Sequence, residues 1–427
     1  MLIKTLLNRV HPVKGFVYDK VQLAADPSQP DAIRLDVMMR PRRGSRGVCS
    51  GCGRRGATYD TLPARRFDFV PIWGIAVLLV YAMRRIDCRA CGVKVERVPW
   101  ATGGKSPMTT AYAVFLARWA RRLSWQQTAE AFWTSWDRVE AAVKWVVDYG
   151  LRHRDLTHIT AIGVDEVAYA KGHRYATLVY QLDEGRRRLL YVAEGRTVKS
   201  LLGFFVMLRR EGRRLGVDLI APIGFVCSDM WQAYRKVILK MLPEALHILD
   251  RYHIVANLSK ALDEVRAQEA RKLKAEGWDV LKHTRWLLLR RRKRLNGKQR
   301  YRLRQVLQWD LRTVRAYILV EGLQALWDYR SPTHAGRFLD AWCRSAMRSR
   351  LEPIKRVARS LRQHRELILN WFRAKKQYNN GIVEGMNLNV KLRFRQAYGY
   401  RRFDTVKTAL YHQLGHLPEP QVTHRFC

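Results

Sequence analysis

The apolar positions change period four times along the chain, and each change marks a segment. Through about residue 103 they fall in short runs at 15–18, 33–39 and 75–81, separated by Pro and Gly, which predicts strands and turns. From Thr109 the period becomes helical over 109–122, 125–132 and 136–149, with Ser124 as one cap and Thr134 and Ser135 as the next. Two helices about three residues apart make helix-turn-helix spacing, and the last would carry Arg138 and Lys144 outward. Strand runs return at 159–164, 173–182 and 188–193, the last two flanking Asp183-Glu184-Gly185. A helix over 198–211, a strand 223–227, a helix 230–240 and a strand 247–250 follow. Three strands, helix, strand, helix, strand suits a ribonuclease-H-like mixed sheet, with antiparallel hairpins first and helical crossovers later. From 257 to 378 the pattern is almost wholly helical.

The expected organisation is therefore a multidomain α+β chain. Strands with a zinc ribbon occupy 1–103, a helix-turn-helix 104–157 and the first part of the ribonuclease-H-like core 158–256. A basic helical insertion interrupts that core over 257–378, and its second part with the tail takes 379–427.

Charge narrows the partners. The 427 residues carry 79 Lys and Arg against 37 Asp and Glu, a formal charge of +42, which calls for a polyanion. The longest apolar stretch, 70–83, is too short to span a bilayer and contains Pro71 and Gly74, so nucleic acid is expected rather than a membrane. The opening residues meet Arg9, His11 and Pro12 too early for a signal peptide, and the chain is expected inside the cell. The stretch 257–378 alone holds 31 basic and 11 acidic residues, including Arg290, Arg291, Arg292, Lys293 and Arg294 in succession, and phosphate contact is expected there. Its tryptophans are expected mostly in the core, an exposed one being able to stack on an unpaired base.

Two kinds of candidate chemistry stand out. Cys49-Ser-Gly-Cys52 and Cys88-Arg-Ala-Cys91, 35 residues apart, are two knuckles able to supply four thiolates to one tetrahedral Zn²⁺. Asp165 and Asp229 each follow an apolar strand run, so a sheet would bring both carboxylates to its end, where oxygen ligands favour Mg²⁺ or Mn²⁺. Glu384, after a turn signal at Asn379-Asn380-Gly381, is the best third carboxylate. Glu384, Asn387, Lys391 and Arg395 share one helical face beside an apolar stripe of Val383, Met386, Val390 and Ala397. That face could hold a metal ligand and then cations for the substrate phosphates.

The ordered set Gly163-Val-Asp-Glu166, Cys227-Ser-Asp-Met-Trp231 with Tyr234, Asp250-Arg-Tyr-His253, and Asn380-Gly-Ile-Val-Glu-Gly-Met-Asn387 running on to Lys391, Arg393 and Tyr398-Gly-Tyr400 resembles the ISL-three family of bacterial insertion-sequence transposases. Arg84-Arg85-Ile-Asp-Cys88 belongs to the same resemblance, which covers about 45–410. It implies a DDE enzyme in which Asp165, Asp229 and Glu384 bind two divalent ions, with Asp250 and His253 in support; Tyr252 stands where Phe is common. It also implies double-stranded DNA as partner, both terminal inverted repeats and target, a homodimer or higher assembly, and a place at the bacterial nucleoid. Asn387, Lys391, Arg393, Arg395, Tyr398 and Tyr400 are expected at the DNA. The alternative is a transposase-derived DNA-binding regulator that no longer cuts. His334 with Arg337 and Tyr378 match fragments of a tyrosine recombinase at a frequency that chance explains, and His412 with His416 lack a metalloprotease pattern.

Overall fold

The computed structural model describes residues 2–421 except 27, 28, 104–106, 230, 379, 380 and 398. It divides into two compact units, 1–154 with 396–427 and 155–395.

The first unit opens with α1 (Ile3–Val10), β1 (Phe16–Asp26), β2 (Gln29–Pro41), β3 (Gly47–Val48), β4 (Arg55–Ile72), β5 (Ile75–Cys88) and β6 (Gly92–Val95). These strands form one sheet in the order β1-β2-β5-β4-β3, with β6 on the edge of β5. The strands run longer than the apolar runs predict, because the outer half of β4 is polar and is held by its ladder to β5. Between them Trp73 and Gly74, at φ 52° and 79°, make the two-residue turn that a twisted hairpin prefers. Phe16, Tyr81 and Phe67 pack edge-on around buried Trp100, and this core continues into the next helix through Ala113 and Leu116.

Three helices follow, α2 (Thr110–Trp119), α3 (Trp125–Ala131) and α4 (Trp136–His153). Thr109, Ser124 and Ser135 cap them, each hydroxyl accepting a backbone N–H of the first turn. Between α3 and α4, Trp133 takes the left-handed conformation at φ 45°.

The second unit begins with β7 (Ala161–Ala170), β8 (Arg174–Gln181) and β9 (Arg188–Glu194), an antiparallel meander. Then come α5 (Val198–Leu215), β10 (Phe225–Ser228), α6 (Gln232–Met241) and β11 (Leu246–Leu249). The sheet order is β11-β10-β7-β8-β9, with β10 parallel to both β7 and β11. Ile162, Val164, Val179 and Val226 on one sheet face pack against Phe204, Phe205, Tyr234 and Ile238 from α5 and α6.

The chain is then helical from 251 to 373, through α7 (Arg251–Ala275), α8 (Arg285–Leu289), α9 (Gly297–Leu307), α10 (Arg312–Gln324), α11 (Pro332–Arg348), α12 (Glu352–Gln363) and α13 (Arg365–Arg373). This stretch starts directly after Asp250, whose carboxylate caps α7. The chain returns to the sheet in α14 (Gly381–Gln396), where Val383 lies close over Gly163 of β7.

The C-terminal part differs from the sequence reading, which kept 379–427 together. The last helix, α15 (Phe403–Leu414), belongs to the first unit. There Arg402 and Thr405 bond Glu140 of α4 at 2.9 and 2.6 Å, and Glu419 pairs with Arg118 and Arg121 of the α2 region. Such long-range polar contacts leave no periodic trace in the sequence.

Candidate active site

The two cysteine knuckles meet because β4 and β5 fold back as a hairpin. The sulfurs of Cys49, Cys52, Cys88 and Cys91 all lie within 4.8 Å of one another, with Cys52 and Cys88 at 3.5 Å. Tetrahedral Zn–S bonds of about 2.3 Å would set sulfurs about 3.8 Å apart, so the cluster fits a metal of that kind. Cys91 is pushed up to about 12 by sharing its thiol with Cys52, by desolvation and by Cys49, a crowding of acidic thiols that a cation would relieve. The nearby Glu96 is buried and accepts from Arg84 at 2.8 Å and from the Tyr81 hydroxyl at 2.5 Å, which braces the strand carrying Cys88.

In the second unit the parallel register decides the geometry. Val164 pairs with Ser228 and Ser228 with Leu249, so Asp165, Asp229 and Asp250, each the next residue, stand level, Asp229 and Asp250 just past the ends of β10 and β11 and Asp165 inside β7, which runs on to Ala170 beside β8. Asp165 Oδ1 accepts the Glu166 N–H at 2.8 Å, and its Oδ2 accepts the Asn387 amide at 2.6 Å. Asn387 in turn accepts from the buried Tyr180 hydroxyl at 2.7 Å, which ties α14 to the sheet. Asp229 accepts the Trp231 N–H at 2.9 Å. Asp250 takes the Tyr252 N–H at 2.8 Å and holds His253 Nδ1 at 2.7 Å.

The electrostatics are those of acids crowded in a partly dry place. Burial, then the charges of Asp229 and Asp250, push Asp165 up to about 6 against the opposing Glu166 N–H and His253. Burial also raises Asp229, and it raises Glu384 with help from Asp250. Its bond to Asp250, and the carboxylates of Asp250, Asp165 and Asp229, lift His253 to about 9 against burial, so the imidazole is charged at neutral pH. Glu384 Oε1 is buried without a partner among the described residues. Several acids pushed upward beside an orphaned carboxylate oxygen are what a hard divalent cation would satisfy. Among the described residues, only the four cysteines bring three or more possible ligand atoms within 4.8 Å of one another; Asp165, Asp229 and Glu384 are spread wider than that.

Other expected residues sort by exposure. Lys144, Lys391, Arg395 and all of Arg290, Arg291, Arg292, Lys293 and Arg294 are exposed, while Arg393 and Tyr400 are half-buried. Arg138 is exposed but paired with Asp68 at 3.0 Å. Tyr398 lies outside the described residues. Asn387 needs correcting: it is 5% exposed and its amide is spent on Asp165 and Tyr180, so it supports a carboxylate instead of facing DNA. The buried stripe of α14 keeps Val383 and Val390 of the expected apolar stripe and takes in Asn387 from the expected polar face, while Met386 is only half-buried.

The sequence reading missed two members. Glu166 is raised to about 7 by burial and then by Asp229 and Asp165, and it faces Arg196 at 3.5 Å. Arg196 lies 4.2 Å from the Tyr175 ring and 4.8 Å from that of Trp231, and its carbonyl accepts the Trp231 indole N–H. Alternation along β7 sets Glu166 on the face opposite Asp165, which is the one signal that could have singled it out.

Fold and site thus define a two-unit α/β protein with a four-cysteine cluster in one unit and carboxylates gathered at a sheet end in the other. A family model of the DDE ISL3 type, described as "Transposase", matches residues 162–410, more than half of the chain, so the chain belongs to the ISL3 family of transposases. It is 29% identical over 405 residues to the transposase for insertion sequence element IS1001 of Bordetella parapertussis, covering 94% of this chain and 96% of that one. It is 27% identical over 413 residues to the transposase for insertion sequence element IS1557 of Mycobacterium tuberculosis, covering 91% and 90%. The protein is accordingly an enzyme of DNA transposition, with DNA as partner and a family requirement for divalent metal. No helix among the described residues is long and apolar enough to cross a membrane.

Proposed function

We propose that this chain binds the ends of its insertion sequence, cleaves a strand there and joins the freed end to target DNA, with Asp165, Asp229 and Glu384 as the catalytic carboxylates. The observation that carries the reading is the level row of carboxylates formed by Asp165 within β7 and by Asp229 and Asp250 just past the ends of β10 and β11, with α14 fastened to Asp165 through Asn387. We read the sheet as ribonuclease-H-like, the cysteine cluster as a zinc ribbon and α2 to α4 as a helix-turn-helix that reads the ends.

Asp165, Asp229 and Glu384 would hold two Mg²⁺ or Mn²⁺ ions, which supply charge neutralisation at the scissile phosphate and a more reactive attacking oxygen. The chain's own work is to fix those carboxylates. Asn387 and the Glu166 N–H hold both oxygens of Asp165, and the Trp231 N–H turns Asp229 toward the strand end. Asp250 is consumed in capping α7 and orienting His253, which fits support of the site. Charged His253 offers a donor at the acidic edge where a phosphate must enter. Both chemical steps are in-line phosphoryl transfers, and positioning dominates their catalysis. The synaptic complex would be a homodimer or higher assembly.

The test is cleavage of DNA carrying the element's ends by Asp165→Ala, Asp229→Ala and Glu384→Ala. Each variant is expected to lose cutting while keeping end binding, and Asp250→Ala to cut weakly. Normal cutting by Asp229→Ala with none by Asp250→Ala would move the second catalytic role to Asp250.

A further inference from the structure

The fold separates the tryptophans of the helical insertion into two kinds. Trp327, Trp342 and Trp371 are buried in its core, whereas Trp278, Trp286 and Trp309 are 54%, 66% and 43% exposed and Tyr301 is 64% exposed. The four exposed rings lie within 278–309, around a small core of Leu281, Val306, Leu311 and Val314. Trp286 leaves α8 on the side away from buried Leu287 and Leu288, and Tyr301 leaves α9 away from buried Leu303 and Val306. Trp278 and Trp309 meet edge to face at 5.9 Å, and the Arg285 guanidinium stands 5.1 Å from the Trp286 ring.

The same 32 residues contain eleven Lys and Arg against one acidic residue, Asp279, a surplus of ten. Arg290, Arg291, Arg292, Lys293 and Arg294 are all exposed, and among the described residues none pairs with a carboxylate. Burial and then the charge of Arg291 lower Arg251, the residue beside Asp250, so the basic run lies within electrostatic reach of the start of α7. An anion relieves such repulsion between like charges.

Charge and rings together choose the occupant. A second copy of this face would set ten surplus cations against ten, which repels. A duplex offers phosphates but keeps the faces of its bases stacked inside. An unpaired strand offers both, phosphates to the cations and base faces to the rings.

We propose that the α8–α9 face is a single-strand DNA site, in which the rings, above all Trp286 and Tyr301, stack on unpaired bases and the 290–294 run holds the phosphates. The proposal rests on the transposase reading, since cleavage at an end is what leaves a strand free to unpair near Asp250.

The test compares binding of a labelled oligothymidine and a blunt duplex to the full-length protein at fixed salt. Trp286→Leu with Tyr301→Leu is expected to weaken oligothymidine binding about tenfold or more, the scale of one lost stacking contact or two, and to leave duplex binding within about twofold. Trp286→Phe, which keeps a ring, should restore most of the loss. A 5-bromouracil oligonucleotide should photocrosslink within 278–309 in the unmodified protein, which needs no variant to fold. Oligothymidine binding unchanged by the leucine pair, or crosslinks confined to other segments, would overturn the site. Asp165→Ala should bind oligothymidine as wild type does. A wild type that binds it but never cuts defeats the catalytic reading alone, and one that cuts but does not bind it defeats this proposal alone.

Discussion

At Asp165 two neutral donors, the Glu166 N–H and the Asn387 amide, fix a carboxylate that burial and neighbouring acids push up to about 6. Asn387→Ala would leave both Asp165 and the Tyr180 hydroxyl short of a partner. A cost of about 1–3 kcal/mol in stability is expected from the unsatisfied groups, with activity falling about 10–100-fold as for other outer-shell supports of metal ligands. Thermal melting and a cleavage assay measure the two. The raised pKa has a sign that can be checked. With the folded pKa above the unfolded one, the folded state binds more protons between about 4 and 6, so metal-free protein should lose stability as pH rises through that window. Melting of chelator-treated protein at several pH values should show this fall, and Asp165→Asn should make it shallower, leaving the shares of Asp229, Glu384 and Glu166, which burial raises as well. Asp165, Asp229 and Glu384 were legible as candidates because each follows a strand run or a turn signal. Asn387 was legible only as a member of a helical face, since nothing in a periodicity says which of its polar members will be buried.

For α14 the decisive contact is a glycine. A Cβ on Gly163 would stand 2.4 Å from Val383 Cγ2 and 3.2 Å from Leu182 Cδ2, so that position must stay small for the Glu384 helix to reach the sheet. Gly163→Ala is expected to cost about 1–3 kcal/mol by overpacking and to depress cleavage further by displacing Glu384. Gly224→Ala, which meets nothing within 4 Å and needs no unusual φ, is the neutral control. Adding Val383→Ala to Gly163→Ala should recover part of the loss, a positive coupling that a double-mutant cycle in denaturant reads directly. Element types and order in the second unit followed from apolar runs ending at turn residues, and the caps Ser124 and Ser135 from the helix-start rule. The full length of β4 did not, because its outer half sets Ala57, Tyr59 and Leu62 among polar and charged residues and has no apolar run of its own. Neither did α1, a single short helix before the first strand.

On the scale of the whole chain, charge and metal chemistry make separable claims. A formal charge of +42 predicts that duplex binding weakens steeply with salt, by about a thousandfold or more between 50 and 200 mM if six or more phosphates are neutralised. Neutralising 290–294 should lower affinity across sequences without changing which end is preferred. Cys88→Ser should release the metal of the cysteine cluster, seen by elemental analysis, and lower the melting temperature of the unit that holds it, since metal binding and folding are coupled there. The family was readable from motifs in order, but the return of α15 to the first unit was not, because it depends on Glu140 and Glu419 finding arginines far away in sequence. The central claim concerns the carboxylates at the sheet end. Its most direct measurement is incubation of the purified protein, with Mg²⁺ or Mn²⁺, on DNA bearing the element's own flanking ends, run beside Asp165→Ala, Asp229→Ala and Glu384→Ala. Site-specific strand breaks from the wild type alone, with all four proteins still binding the ends, is the predicted result. A wild type that binds the ends and never cuts them, or any of the three variants cutting as well as wild type, would contradict it.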